Sequence, residues 1–332
     1  METEGERMKI NFTIMYLKCN GGNRVILEIA NGLSKRGHDV SITTMSKDAD
    51  WFPNLEAKIH NSKALMAPFG CDIDVATWCF TAYPVALNDA KRKFYYIQMH
   101  EPVFFSNSIM KFLATKSYSL PLQMITNSTW LHDLILEKYG KESSVVLNAV
   151  DTEMFRPKKV KPFRKGMTIL CQHKDFPWKG MDVLFKAMKI VNKKRKVHLV
   201  FYGLQAPKNM PGNWSWVPSP SDEDLVNLYN SVDMVVCPSL AESFPLPPLE
   251  AMACGTPVVT TDAGTDDYAI DGKNSIVVPR GDVNALADGI LKILGSPSLR
   301  KKFSREGIKT AKKFKWADSV KEVEKIFEEA LG

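Results

Sequence analysis

The sequence predicts an α/β chain built as two doubly wound, Rossmann-like domains facing each other across a cleft. Three observations carry that expectation. Short β-rich runs alternate with amphipathic helical patterns, as a parallel sheet covered on both faces requires. The same rhythm starts afresh near the middle of the chain. Finally, 332 residues exceed what a single hydrophobic core ordinarily supports.

In the first half, "KINFTIMY" reads as a buried strand. "NRVILEIANGLSKRG" reads as a helix, with apolar residues at 25, 26, 29, 30 and 33, and "HDVSITT" as the next strand. "DVATWCF", "KFYYIQM", "QMITNS" and "SVVLNAV" continue the strands, with "STWLHDLILEKYG" as a helix among them. The second half repeats the pattern in "MTILC", "KVHLVFYG", "MVVCPS", "TPVVTTD" and "SIVVP". Its helices include "SDEDLVNLYNSV" and "DVNALADGILKILG", the latter with Asp282 as N-cap and Gly295 as stop. "FRPKKVKPFRKG", rich in proline and cations, reads as the linker. Domain one is therefore expected over 1–157 and domain two over 158–315, with an amphipathic C-terminal helix over 316–332 packing back on the first. Ligands are expected in the cleft, at the carboxyl ends of the strands.

Composition narrows the class. At 45% hydrophobic and 24% charged residues the chain is ordinarily globular, and no apolar run approaches the roughly 18 residues of a membrane span. The opening "METEGERMKI" is acidic and polar, unlike a secretory signal, and reads as an extension before Met8. The six cysteines are scattered without a C-x-x-C pair, which implies reduced thiols in a cytoplasmic protein, neither zinc nor disulfides. Sequons at Asn11, Asn127 and Asn213 then carry no meaning. The net charge of +7 gathers in "KKVKPFRK", "NKKRK" and "RKKF". Such clusters suit phosphate-bearing or anionic-membrane partners, or simply a solvated face. No nucleic-acid motif accompanies them, so no nucleic-acid partner is expected.

A dehydrogenase would carry G-x-G-x-x-G after its first strand. The turn here, "CNGGNRV", has Gly21 and Gly22 but no third glycine at that spacing, and the P-loop pattern is absent. A close backbone approach of a ligand at Gly21–Gly22 remains the expectation. The informative stretch is "ESFPLPPLEAMACG", in which Glu242 and Glu250 stand eight positions apart. Pro245, Pro247 and Pro248 exclude one continuous helix between them. Pro247 or Pro248 opens a short helix that Gly255 ends, which places Glu250 in its first turn, where the dipole favours a carboxylate by about 0.3–1 kcal/mol. Glu242 falls on the loop after "MVVCPS", at a strand's carboxyl end.

This pair resembles the E-x7-E motif of retaining GT-B glycosyltransferases, glycosyltransferase family 4. Further matching blocks are the Gly-Gly turn with "RGHDV", then "TNSTWL", "NAVDTEMFRP", "WKGMDVL", "SDEDLVNLY", "PSLAESFPLPPLEAMACGTPVV" and "DAGTDDYAIDGKN". In this order they cover nearly the whole chain. The resemblance implies a hexosyltransferase active in glycan or polysaccharide assembly, with a nucleotide sugar as substrate and no metal or other cofactor. It gives Glu250 the donor ribose hydroxyls, and sets Glu242 beside the transferred sugar for front-face attack. Lys179 of "HKDFPWKG" matches a lysine on the donor diphosphate. Lys174 stands where the family has an arginine, and lysine lacks that residue's bidentate fork. Since one preorganised donor supplies roughly 3–4 kcal/mol against a barrier lowered by at least about 8, the cations, a helix N-terminus and the backbone at Gly22 are expected to act together.

By the same resemblance His100 of "YYIQMHEP" lies near the reaction centre, with Glu101 a candidate for holding the acceptor, and Asp267 takes the place of a glutamate. Ser243, Phe244, Pro245 and Leu246 line the donor sugar. Ser243 and Pro245 stand where the family has glycines, as does Ala149, while Phe244 and Leu246 keep their N–H groups. The triplets 48–50 and 72–74 look like D-x-D metal motifs but are read as loop acids. Residues 102–120, which mix aromatics with Lys111 and Lys116, read foremost as a buried helix. The other reading is contact with a lipid-linked acceptor or the inner face of a membrane. A hydrolase or epimerase acting on nucleotide sugars, and a binder without catalysis, are the alternative functions.

Overall fold

The computed structural model describes residues 7–46, 49–68, 70–208 and 212–332. Residues 1–6 of the polar start and Asp48 of the first D-x-D triplet lie outside the described residues. The chain divides into two compact units: Met1–Asn148 with Trp316–Gly332, and Ala149–Lys315. The division precedes the stretch expected as linker. That stretch is bonded into the second unit, through Lys158 N–H to Asn230 Oδ1 at 2.7 Å and Phe163 N–H to Ser231 O at 2.9 Å.

The first unit contains β1 (Lys9–Ile14), α1 (Gly21–Lys35), β2 (Asp39–Thr44), β3 (Lys58–Asn61), β4 (Ile73–Ala76), α2 (Ala82–Leu87) and β5 (Arg92–Ile97). α3 (Ser108–Lys116), β6 (Gln123–Thr126), α4 (Thr129–Tyr139) and β7 (Ser143–Val145) follow. The described strands form one parallel sheet in the order β3-β2-β1-β4-β5-β6-β7. Asn20 caps α1 through its Oδ1, so the glycine pair opens the helix rather than preceding it. Ser128 caps α4, and Gly140 ends it in the left-handed region at φ 61°. β4 stops at Ala76, short of the expected "DVATWCF", because Thr81 Oγ1 accepts from the N–H groups of Thr77 and Trp78 and turns the chain.

Two expectations change here. Asp74 is no loop acid. It sits inside β4, wholly buried, and accepts hydrogen bonds from Asn11 Nδ2 at 2.7 Å, Thr13 Oγ1 at 3.0 Å and Asn88 Nδ2. Burial raises its pKa to about 6 against those three donors. Asp72 precedes the strand, accepts from Lys9 N–H and pairs with Lys91. The segment around α3 is not a buried helix either. Of its nine residues only Ala114 is buried, while Ile109 and Phe112 are 69% and 58% exposed.

The second unit contains β8 (Thr168–Gln172), α5 (Met181–Lys194), β9 (His198–Gly203), β10 (Trp214–Pro218), α6 (Asp222–Ser231) and β11 (Met234–Cys237). α7 (Leu246–Ala253), β12 (Val258–Thr261), β13 (Ile276–Val278), α8 (Val283–Gly295) and α9 (Pro297–Ala311) complete it. Its parallel sheet runs β10-β9-β8-β11-β12-β13. Ile169, Phe201, Val236 and Val259 pack from the sheet against Leu184, Met188 and Ile290, each contributing roughly 1.5–3 kcal/mol on burial. The edge strands β3 and β10 went unread in the sequence because they are half exposed and lack a buried apolar run.

The last helix, α10 (Trp316–Leu331), belongs to the first unit. Glu324 receives both Arg36 and His38 Nε2, the latter at 2.9 Å. Phe327 meets Phe94 with ring centroids 4.9 Å apart.

Candidate functional site

Sheet order reverses between β8 and β11, and the loops leaving the carboxyl ends of those two strands carry the chemistry. The first loop ends in a single 3₁₀ turn, Pro177–Lys179, closed by Gly180 at φ 67°. A side chain at Gly180 would put its Cβ 1.9 Å from Pro238 O on the second loop. Only glycine therefore lets the two loops touch, and Leu240 N–H joins them through Trp178 O at 2.7 Å. Across this seam the Lys179 ammonium pairs with Glu242 Oε1, each side chain 16% exposed. Ser239 Oγ donates to the same oxygen at 2.9 Å, and Thr261 Oγ1 holds the Ser239 carbonyl at 2.5 Å. Gly264, at φ 65°, presses on the backbone here; a Cβ on it would lie 2.5 Å from Glu242 O and 2.4 Å from Ser243 O.

Beyond this seam α7 begins at Leu246, with Pro245 as N-cap and no side-chain cap. Pro247 and Pro248 carry no N–H, so Leu246 supplies the one donor among the first three helical positions. The helix begins one or two residues earlier than the sequence suggested, so Glu250 is its fifth residue, past the first turn. No acid occupies the first turn, so dipole stabilisation does not account for it. It is held by a phenol instead. Tyr229 O–H donates to Glu250 Oε2 at 2.8 Å, and the Tyr202 hydroxyl lies 2.9 Å from that of Tyr229. Gly255 follows the helix at φ 76°, as its stop.

The side chains of Ser243, Phe244 and Leu246 are buried. Phe244 packs on Tyr268 and Phe314, and Tyr268 O–H donates to Pro245 O at 2.8 Å. Phe244 is thus a core ring. Lys174 is half-buried on the β8–α5 loop, five residues before Lys179. The residues missed in the sequence are Ser239, Tyr229, Tyr202, Gly180 and Gly264. Ser239, Gly180, Gly264 and Tyr229 stood inside quoted blocks. Tyr202 stood in a run read only as a strand.

In the first unit, Gly21 and Gly22 form the first turn of α1, after β1. A Cβ at Gly21 would meet no described atom, and neither residue has a positive φ. Packing therefore does not demand glycine at 21. His100 follows β5, half-buried, with Nε2 2.7 Å from Tyr139 Oη and its ring stacked on Tyr118. Burial, with Lys138 and Lys111 nearby, lowers its pKa to about 4, so the imidazole is neutral at neutral pH.

Glu101 cannot hold an acceptor. It is 2% exposed and turned inward, accepting from Cys79 N–H and Tyr95 O–H at 2.5 Å each, while its own N–H donates to Tyr118 Oη. Burial raises its pKa to about 7. Among the described residues no group of three or more His, Cys, Asp or Glu could hold a metal ion, and no helix is long and apolar enough to cross a membrane.

Two Rossmann-like units, each an all-parallel sheet with helices, define the GT-B fold class. Solved structures agree at the level of fold. Sucrose-phosphate synthase from Thermosynechococcus elongatus superposes with a TM-score of 0.81 over 97% of this chain and 99% of that one, at 16% identity. HepE from Anabaena, in complex with UDP-glucose, gives 0.79 over 97% and 99%, at 17% identity. Residues 153–310, just under half of the chain and nearly all of the second unit, match the family model Glycosyl transferases group 1. A D-inositol 3-phosphate glycosyltransferase of Saccharomonospora viridis is 37% identical over 118 residues, 35% of this chain and 27% of that protein. An MMP alpha-(1->4)-mannosyltransferase of Mycolicibacterium hassiacum is 29% identical over 57% of this chain and 48% of that protein. The chain thus aligns with less than half the length of either relative.

Proposed function

We propose that the chain is a glycosyltransferase of family 4 type, moving a hexosyl group from a nucleoside diphosphate sugar to an acceptor with retention of configuration. The observation that carries this reading is the Lys179–Glu242–Ser239 cluster at the switch point of the family-matching unit, with Glu250 separately held on the helix that follows.

The division of labour follows from charge. Lys179 exchanges Glu242 for the donor diphosphate and neutralises it as the C1–oxygen bond breaks, with Lys174 as an added cation on the same loop. Glu242, released from the ammonium but still held by Ser239, accepts from hydroxyls of the transferred sugar. Glu250 accepts from the ribose diol, and the Leu246 N–H faces the donor. The bond from C1 to the acceptor oxygen forms on the face the diphosphate leaves, and the acceptor proton passes to the departing phosphate oxygen. Neutral His100 serves as a hydrogen-bonding group rather than a cation. Gly21 and Gly22 are retained for close approach of a phosphate.

Calorimetry with UDP, GDP, ADP and their sugars tests the donor half. One nucleotide is expected to bind wild type and to lose at least about tenfold in affinity in Glu250→Ala, the loss of a charge-assisted hydrogen bond. No binding by any of them removes the donor reading. UDP-glucose is the first donor to try, since HepE was solved with it.

The acceptor is proposed to be lipid-linked and met at an anionic bilayer. Support comes from α3, where Ile109, Met110 and Phe112 are exposed beside Lys111 and Lys116, and where residues 102–120 contain no acid. Wild type should co-sediment with vesicles of phosphatidylcholine mixed with phosphatidylglycerol, and the double change Ile109→Asp, Phe112→Asp should abolish it. Failure of wild type to sediment with these vesicles removes the bilayer.

A further inference from the structure

Glu250 stands at the end of a directed chain of two buried phenols. Tyr229 and Tyr202 are both enclosed, and burial raises both pKa values well above 10, so each hydroxyl keeps its proton throughout the working range. Tyr229 has one proton, and the geometry gives it to Glu250 Oε2. Tyr229 oxygen can then only accept from its other neighbour, so Tyr202 must be the donor in the 2.9 Å contact between the two hydroxyls. The chain therefore runs Tyr202 O–H to Tyr229 O–H to carboxylate. It starts at the carboxyl end of β9, passes through α6, and ends on α7. Polarisation along such a chain strengthens its last bond.

The tyrosines are themselves fixed. Tyr229 meets Tyr202 edge-on and packs on Phe155, and its carbonyl accepts Thr256 Oγ1 at 2.6 Å. A glutamate on an eight-residue helix has three side-chain torsions to settle. A rigid buried phenol settles them before any ligand arrives, and preorganisation of this kind appears as affinity.

We infer that Tyr229, backed by Tyr202, is a positioning residue that aims the Glu250 carboxylate at a nucleotide's ribose diol. The inference rests on the reading of Glu250 as the ribose acceptor. It assigns to the two tyrosines a share of the discrimination between ribonucleotides and nucleotides lacking the diol.

The test uses the full chain and the tightest-binding nucleoside diphosphate of UDP and GDP, with its 2′,3′-dideoxy analogue. Wild type should favour the ribose form by about tenfold or more, as expected for hydrogen bonds to a charged acceptor. Tyr229→Phe should shrink that ratio several-fold while leaving affinity for the dideoxy analogue unchanged, which loss of structure would not do. Tyr202→Phe should shrink it less, with no further effect when added to Tyr229→Phe, the signature of two groups in series. If Tyr229→Phe does not fold, the Tyr202→Phe ratio decides. An unchanged ratio in the tyrosine variants, with the ratio lost in Glu250→Gln, overturns the relay and leaves the ribose reading standing. A ratio that survives Glu250→Gln overturns the ribose reading and the relay with it.

Discussion

The Lys179 ammonium and the Glu242 carboxylate pair with each other, with one serine hydroxyl as the third partner. Removing one member strands the other in a mostly closed place. Lys179→Met should therefore lower the second unit's stability by about 1–3 kcal/mol, read from urea denaturation, in addition to reducing turnover. Ser239→Ala should cost about 1 kcal/mol and weaken catalysis less, because Glu242 keeps its cation. Equal turnover in Ser239→Ala and Lys179→Met would contradict that ranking.

Glu101 makes a prediction in pH. Its folded pKa of about 7 lies above the ordinary value of 4.5, chiefly through desolvation, so the fold prefers the protonated acid. The stability it contributes is complete below pH 4.5 and is lost as pH rises through 7, by an amount on the order of 3 kcal/mol. Glu101→Gln keeps an acceptor for Cys79 N–H and Tyr95 O–H without the titration. It should shrink the fall in the first unit's stability between pH 5 and 8, measured by thermal melts across that range, and leave the part due to buried Asp74, whose pKa of about 6 titrates in the same direction. His100 acts with the opposite sign. Its lowered pKa gives stability that is full above 6.5 and declines as pH falls toward 4, so the two neighbours are separable by the direction of their pH dependence.

At the scale of elements, helices were easier to read than strands, and buried strands easier than edge strands. The Ser128, Asp282 and Ser221 caps and the Gly140 stop are chemical signals that survive in any context. β3 and β10 lie at sheet edges with a mixed burial pattern, so their sequences offer no alternation to find. α3 was misread for the reverse reason. Its apolar residues suggested a core, and nothing in a local window says that a core has no room for them. The Glu242 loop and its cations were legible because their residue types are unusual at a strand's end. The glycines at 180 and 264 matter through distant carbonyls, which no local pattern reveals.

Packing between α1 and α10 offers a sharper test. A Cβ at Gly32 would fall 2.3 Å from Val320 Cγ2, and valine has little freedom to retreat. Gly32→Ala should destabilise by about 1–3 kcal/mol even though alanine favours helix, with recovery in Gly32→Ala, Val320→Ala. Gly21→Ala in the same helix has open space around it. It should leave stability unchanged or raised by up to about 1 kcal/mol, and a fall in turnover there would mark a ligand rather than a packing partner.

For the whole molecule, the two-unit α/β fold was readable because its signal is spread over many elements and tolerates errors in several. The acceptor was not readable, because it depends on which side chains reach the surface, as α3 illustrates. The order of the chain adds something else. Residues up to Asn148 form most of the first unit, yet that unit is closed only by Trp316–Gly332, through Glu324 with Arg36 and His38, and Ser319 Oγ with Leu147 O at 2.7 Å. During synthesis, the part made first is therefore the part finished last. It must wait with the Gly32 face of α1 and the Phe94 side of its sheet uncovered while the entire second unit emerges and folds. A nascent chain halted before Trp316 should present a protease-resistant second unit beside a sensitive first one, an inversion of the usual vectorial order.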